Sequence, residues 1–143
     1  MTPPALDAVM VQAKLRAMRE LLDDLDAAQP MDVPTLTGDR MLRHGVERIL
    51  TQLVELAGSI NGHLAVSALG RAPESYRDSF ELVARAGVLA PELAERLKPS
   101  VGLRNVLVHE YAVVDLALVA AGVELARVDY RAYVREIAGS LPG

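Results

Sequence analysis

The chain contains no cysteine. Disulfide scaffolds, thiolate metal sites and cysteine nucleophiles are therefore excluded from the outset. It also lacks any uncharged apolar stretch near the ~18 residues that a membrane span requires. The longest such run, Leu116 to Val123, is bounded by Asp115 and Glu124. The opening residues Met1-Thr2-Pro3-Pro4-Ala5-Leu6-Asp7 pair no basic region with an apolar one, so no leader is expected. Positive charge is in short supply as well. Net charge is −4 and the pI is about 5.3, which argues against broad, charge-driven nucleic-acid binding. An RNA enzyme with one local basic cleft stays compatible with that balance. Repeats, low-complexity tracts and sustained period-two alternation are missing too. The absence of cysteine suits a cytoplasmic protein, and that is the expected location.

What is present is helical periodicity. The 143 residues, 51% hydrophobic and 24% charged, are of a size for one domain covering 1–143 with a sizeable core. Residues 6–27 place Leu6, Val9, Met10, Ala13, Ala17, Leu21 and Leu25 three or four apart, as on one face of an amphipathic helix. The prolines and glycine of 29–38 predict a loop, with Thr37 or Asp39 capping the next helix. That helix, 39–69, carries the stripe Leu42, Val46, Ile49, Leu53, Leu56, Ile60 and Leu64. Its Gly45, Gly58 and Gly62 each cost up to ~1 kcal/mol against alanine and suggest close packing or a bend. A shorter helix spans 75–86, with Tyr76, Phe80, Val83 and Ala84 inward and Gly87 as its stop. Pro91 opens a fourth helix whose apolar face is Leu93, Leu97, Val101 and Leu107; Pro99 inside it predicts a kink or a break. Asp115 caps a last helix to about Leu141, with Tyr130 assigned to the core and Tyr133 to the surface. The expected fold is all-α, a compact bundle of about five helices.

Residues 104 to 111 read Arg-Asn-Val-Leu-Val-His-Glu-Tyr. They combine a permanent cation, a proton shuttle and a phenol. Arg104 can hold a phosphate by two parallel hydrogen bonds and stabilise growing negative charge. His109, with an ordinary pKa of ~6.5, can accept or donate a proton near neutrality. Asn105 can orient either group, and Tyr111 offers a hydroxyl for phosphate contact or modification. RNA supplies its own 2′-hydroxyl nucleophile, so such a set needs neither metal nor cofactor. On a helix, Arg104 and His109 lie roughly 140° apart. A single site then needs the helix to end near His109, or two chains to meet. A structural reading competes: a helix-end histidine on a carbonyl, an Arg104–Glu110 surface pair and a packed tyrosine. From spacing alone that reading carries more weight, because these three residue types often share an octet by chance.

The octet also resembles the signature of the HEPN superfamily: Arg, four variable residues, His, one variable residue, Tyr. Arg104, His109 and Tyr111 match in register, and Asn105 matches the polar residue usual after the arginine. Ser75-Tyr76-Arg77-Asp78-Ser79-Phe80-Glu81-Leu82, Ala86 to Ala94 and Gly102 to Tyr111 are similar to the HepT-like branch, as are Val46-Glu47-Arg48 and Asn61-Gly62-His63. The resemblance covers roughly residues 5 to 140. It implies an all-α homodimer with both motifs at the interface, acting as a metal-independent ribonuclease toxin. It implies an antitoxin partner, a minimal nucleotidyltransferase (MNT), that transfers AMP onto the motif tyrosine, here Tyr111. Arg104 and His109 carry over as catalytic residues and Asn105 as a supporting one. Pro99 departs from the pattern expected in the helix that feeds the motif. The alternative is a non-catalytic HEPN module that binds a nucleotidyltransferase or a nucleotide.

Other polar residues read as structural. His44 and His63 fit no usual zinc pattern. Glu47 and Glu55 form a solvated stripe or an interface contact, and Asn61 is polar packing. Arg40, Arg43 and Arg48 give a basic stretch that is usually solvated, though it could line an RNA cleft beside the motif.

Overall fold

A computed structural model of the chain describes residues 5–109 and 113–142, and every regular element within them is helical. Helix α1 (Ala8–Ala27) starts where the Asp7 carboxylate accepts the Met10 N–H at 3.0 Å. Its buried stripe is Val11, Leu15, Met18, Leu22 and Leu25, while Val9 is 78% exposed. The buried face is thus rotated from the one expected. The 11/15/18/22/25 set alternates steps of four and three and carries the bulkier side chains, so burying it removes more apolar area from water.

The segment 29–38 is not wholly a loop. Helix α2 (Val33–Gly38) occupies its second half. Asp32 accepts from the Thr35 N–H at 2.9 Å, and Pro34 sits in the first turn, where its missing N–H costs nothing. Leu36 anchors this turn in the core. Asp39 then caps α3 (Arg40–Leu69) through the Leu42 N–H.

Helix α3 is the central element, with α1, α2, α4 (Tyr76–Arg85), α5 (Pro91–His109) and α6 (Leu116–Leu125) packed around it. Its buried arc, from Val46 through Leu53, Val54, Ala57, Ile60 and Asn61 to Ala65, is wider than one stripe because neighbours cover it on several sides. Gly70 ends it at φ 65°, in the left-handed region that glycine enters freely. Ser75 caps α4 through the Asp78 N–H. Gly87, at φ 76°, closes α4 with the Val88 N–H returning to the Val83 carbonyl.

Helix α5 runs through Pro99 without a break. An interior proline forfeits one backbone hydrogen bond, and burial of Leu93, Leu97, Val101 and Leu107 on either side of it holds the helix together. Asp115 caps α6 through the Ala117 N–H. A π turn (Ala126–Tyr130) follows, and α7 (Arg131–Ser140) continues from it.

A second correction concerns Tyr133. Expected at the surface, it is fully buried. The buried set Val119, Val123, Ala126, Tyr130, Val134 and Ile137 keeps one phase through the π turn, and Tyr133 lies about 60° from Tyr130 within the same arc, which is wide because α1 covers it as well. Tyr130 and Tyr133 both point inward, their rings 6.0 Å apart and edge-to-face, with Phe80 6.1 Å from Tyr133. Their hydroxyls are satisfied. Tyr133 donates to Asn61 Oδ1 at 2.6 Å, Asn61 donates to Ser79 Oγ at 3.1 Å, and Ser79 donates to the Tyr76 carbonyl at 2.6 Å. The Ser100 hydroxyl donates to the Leu97 carbonyl, which leaves Tyr130 as donor in their 2.7 Å bond. Burial pushes both phenols upward, so each stays a neutral donor.

Candidate active site

Arg104 and Asn105 lie in the last turns of α5, and His109 is its final residue. Two of the three motif positions are therefore on one regular helix, five steps and about 140° apart. Glu110 and Tyr111 lie outside the described residues, so the expected Arg104–Glu110 pair and the tyrosine's setting do too.

The Arg104 guanidinium is fixed by two neighbours. Its Nη1 donates to Asn105 Oδ1 at 3.2 Å, and its Cζ stands 5.3 Å from the centroid of the Tyr76 ring. A cation over a tyrosine face is held by the ring's quadrupole. The ring in turn lies against α3 at Gly58, where any Cβ would collide with it. The backbone of Tyr76 is tied to α7 through Ser79, Asn61 and Tyr133. Helices α3, α4 and α7 thus all bear on one arginine. Its Nε is buried and finds no partner among the described residues. An arginine has five N–H donors; the sealed Nε is not open to a ligand, but Nη2, which makes no hydrogen bond among the described residues, keeps capacity for an oxyanion such as a phosphate.

His109 is exposed. It makes no hydrogen bond or ion pair among the described residues. Nearby apolar side chains are exposed as well: Val108 at the end of α5, Val113, and Leu118 on α6. Beside them an apolar cleft of about 280 Å³ runs between α5 and α6, lined by Pro99, Leu103, Val106, Leu118 and Leu125. Leu103 packs so close to Gly122 that a Cβ there would clash.

On the other flank of Arg104 is a larger cleft of about 530 Å³ between α3, α4 and α5. Tyr76, Arg77 and Asn105 line it. Periodicity puts Tyr76 among the inward-facing residues of α4, and both Tyr76 and Arg77 belong to the segment that carries the resemblance. Nothing in periodicity indicates that the ring lies under Arg104.

The remaining candidates stand apart from the motif. Arg43 pairs with Glu47 at 3.7 Å. Arg48 lines a separate cleft between α1 and α3, shared with Glu20, Asp24 and Glu55. Arg40 and His44 are exposed, and His63 Nε2 accepts the Asp7 N–H at 2.8 Å, a structural role. Asn61 is polar packing, as expected. No helix among the described residues is long and apolar enough to cross a membrane.

Comparison with known proteins gives the chain a family. The family model for "Ribonuclease HepT-like" matches residues 16–137. The chain is 28% identical over 132 residues to "tRNA nuclease HepT" of Aphanizomenon flos-aquae, covering 92% of this chain and 90% of that one. It is 30% identical over 89 residues to "mRNA nuclease HepT" of Shewanella oneidensis, covering 62% and 64%. Among solved structures, the tri-AMPylated HEPN toxin of Shewanella oneidensis, in complex with its MNT antitoxin, superposes with a TM-score of 0.81 at 25% identity over 92% of this chain and 98% of that one. The family match over residues 16–137, together with the fold shared with that toxin, means that the protein belongs to the HepT-like ribonucleases.

Proposed function

We propose that this protein is the toxin of a toxin–antitoxin pair, a metal-independent endoribonuclease acting as one domain over residues 1–143 in the cytoplasm. The observation that carries the reading is Arg104: a cation braced by Tyr76 and Asn105, with a buried Nε free of any partner among the described residues. Its Nη2 also makes no hydrogen bond among the described residues, which leaves donors for a phosphate.

In the proposed reaction Arg104 grips the scissile phosphate, with Asn105 setting its orientation. His109 takes the proton from the RNA 2′-hydroxyl as that oxygen attacks phosphorus. The bond from phosphorus to the 5′-oxygen breaks, and that oxygen leaves with a proton from an imidazolium. The products are a 2′,3′-cyclic phosphate and a 5′-hydroxyl. Arg104 and His109 face different sides of α5, so a complete site draws on two copies of the chain, Arg104 of one beside His109 of the other. The apolar α5–α6 cleft, with Leu118 exposed on its wall, supports a homodimer seam beside the motif.

The partner is an MNT-type nucleotidyltransferase antitoxin, as in the related Shewanella complex. Its AMP groups go to Tyr111, adding bulk and negative charge where the RNA phosphate would bind.

Purified protein free of AMP is expected to cut RNA in the presence of EDTA, and His109→Ala to slow cleavage by roughly 10²–10⁴-fold. Cleavage that survives the substitution removes His109 from the mechanism. If the protein binds RNA or its partner but never cuts, the non-catalytic module becomes the better reading. Co-expression with the antitoxin should add AMP mass to the peptide containing Tyr111. A monomer at micromolar concentration in sedimentation would rule out the shared site.

A further inference from the structure

The cleft between α3, α4 and α5 has no part in the chemistry proposed for the motif. Its wall includes Gly62, Pro73, Glu74, Tyr76, Arg77 and Asn105. About 530 Å³ is the scale of a pocket for a small organic ligand such as one nucleotide. It borders the motif through Asn105, which holds Arg104, and through Tyr76, whose ring lies under it.

The two ends of the cleft differ. At one end Arg77 leans over α5, its Nη2 3.4 Å from where a Cβ on Gly102 would sit. Gly102 is less than a turn before Arg104, so a second guanidinium lies along the helix that carries the motif. Arg77 is exposed and forms no ion pair among the described residues. Asn105 spends its Oδ1 on Arg104, and its amide nitrogen has no partner among those residues. At the other end Pro73 approaches α3 at Gly62, the place for a Cβ there lying 3.9 Å from the proline ring. Glu74 is on this rim, with a carboxylate that would repel phosphate and accept an N–H. Cation and free amide at one end, acceptor at the other, and an aromatic wall between them match a nucleotide: phosphate toward Arg77, base toward Glu74. Gly62 matters because it leaves the floor open. Position 62 admits a Cβ, but a longer side chain would project into the cleft.

We propose that this cleft binds the RNA nucleotide next to the one being cut, with Arg77 holding the flanking phosphate and Asn105 bridging it to Arg104. The inference rests on the ribonuclease reading of the motif, and it adds a subsite to it. It makes Arg77 a binding residue and the α3–α4–α5 cleft the determinant of which sequence presents its phosphate to Arg104.

Binding of fluorescein-labelled single-stranded RNA hexamers tests it in protein carrying His109→Ala, which leaves the RNA uncut. Polarisation is read as a function of salt. Arg77→Gln should weaken binding and lower the slope of log affinity against log salt by about 0.7, the value for each phosphate neutralised on a single strand. Gly62→Leu should weaken binding roughly ten-fold, as removal of one stacked base does, with the slope unchanged. Leucine also favours the helix over glycine, so a retained melting temperature shows that the weaker binding comes from filling the cleft. Affinity and slope unaltered by both substitutions would overturn the subsite while leaving the ribonuclease reading intact. Absence of RNA binding by the His109→Ala protein itself would instead count against that reading.

Discussion

Two polar regions of this molecule lie within a few helical turns of each other and are built on opposite terms. Behind α4, Tyr133, Asn61 and Ser79 form a chain in which each donor has an acceptor, and Tyr130 with Ser100 closes a second one. At the end of α5, Arg104 has a buried Nε without a partner among the described residues, and His109 stands exposed. The first region is satisfied and serves the fold. The second holds unused donors, which the proposed function assigns to a phosphate. Tyr76 joins them: its carbonyl ends the structural chain, and its ring supports the arginine. Burial of a polar group therefore does not by itself tell whether its hydrogen bonding is complete: Glu47 Oε2, like Arg104 Nε, is buried without a hydrogen-bond partner among the described residues.

Substitutions should separate the two regions. The largest effect is expected from Arg104→Gln, which should lower RNA cleavage by roughly 10²–10³-fold, the usual result of removing one donor to a developing oxyanion. Its melting temperature should hold or rise, because a poorly partnered buried N–H is removed; a large drop in stability would mean that Arg104 is structural. Asn61→Ala should do the reverse. It removes the short acceptor of the Tyr133 hydroxyl, leaving only the 3.3 Å bond to the Ala57 carbonyl, at about 1–3 kcal/mol, read as a fall of several degrees in thermal unfolding, while the folded protein still cuts RNA. A fully active variant of unchanged stability would show that water replaces the amide without loss.

Tyr76 tests the join. Replacing it with leucine should cost about 0.5–2 kcal/mol of transition-state stabilisation by removing the cation–π pair, measured as kcat/KM on a fluorogenic RNA. Tyr76→Phe keeps the ring and should behave as wild type. Equal losses in both variants would assign the effect to the hydroxyl instead. The smallest effect is expected at Asp26, far from either region. Its hydrogen bond from Arg127, then that from Arg131, holds its carboxyl below the usual range. A depressed folded pKa adds stability above the unfolded value of ~3.9, and that stability fades as pH falls through the folded value. Asp26→Asn should thus be slightly less stable at pH 7, and the gap should vanish in acid; a constant gap would point to packing in place of charge.

The sequence displays the helices well and their faces less well. Capping residues at Asp39, Ser75 and Asp115 and the left-handed Gly87 stand where local chemistry requires them. The phase of α1 is easily misread, because Val9, Met10 and Ala13 mimic a stripe that the larger Val11, Leu15 and Met18 occupy. Pro34 resembles a breaker and is a starter, since a proline in the first turn loses nothing. The motif itself is legible as letters, and its family resemblance holds. Its support is not legible, because Tyr76 reaches Arg104 from another helix, 28 positions away in sequence, and no local spacing encodes a contact between helices.

The π turn at Ala126–Tyr130 leaves the inward face of the last rod unbroken. Val119 and Val123 before it, Ala126 and Tyr130 within it, and Val134 and Ile137 after it are all buried, as one continuous wheel diagram places them. Deleting a single residue within 126–130 would turn every later position by about 100° and carry Tyr133 away from Asn61. The rod works as a keyed shaft: its two ends must stay in register, so that Val119 and Val123 at its start and Tyr133 at its end enter the same core.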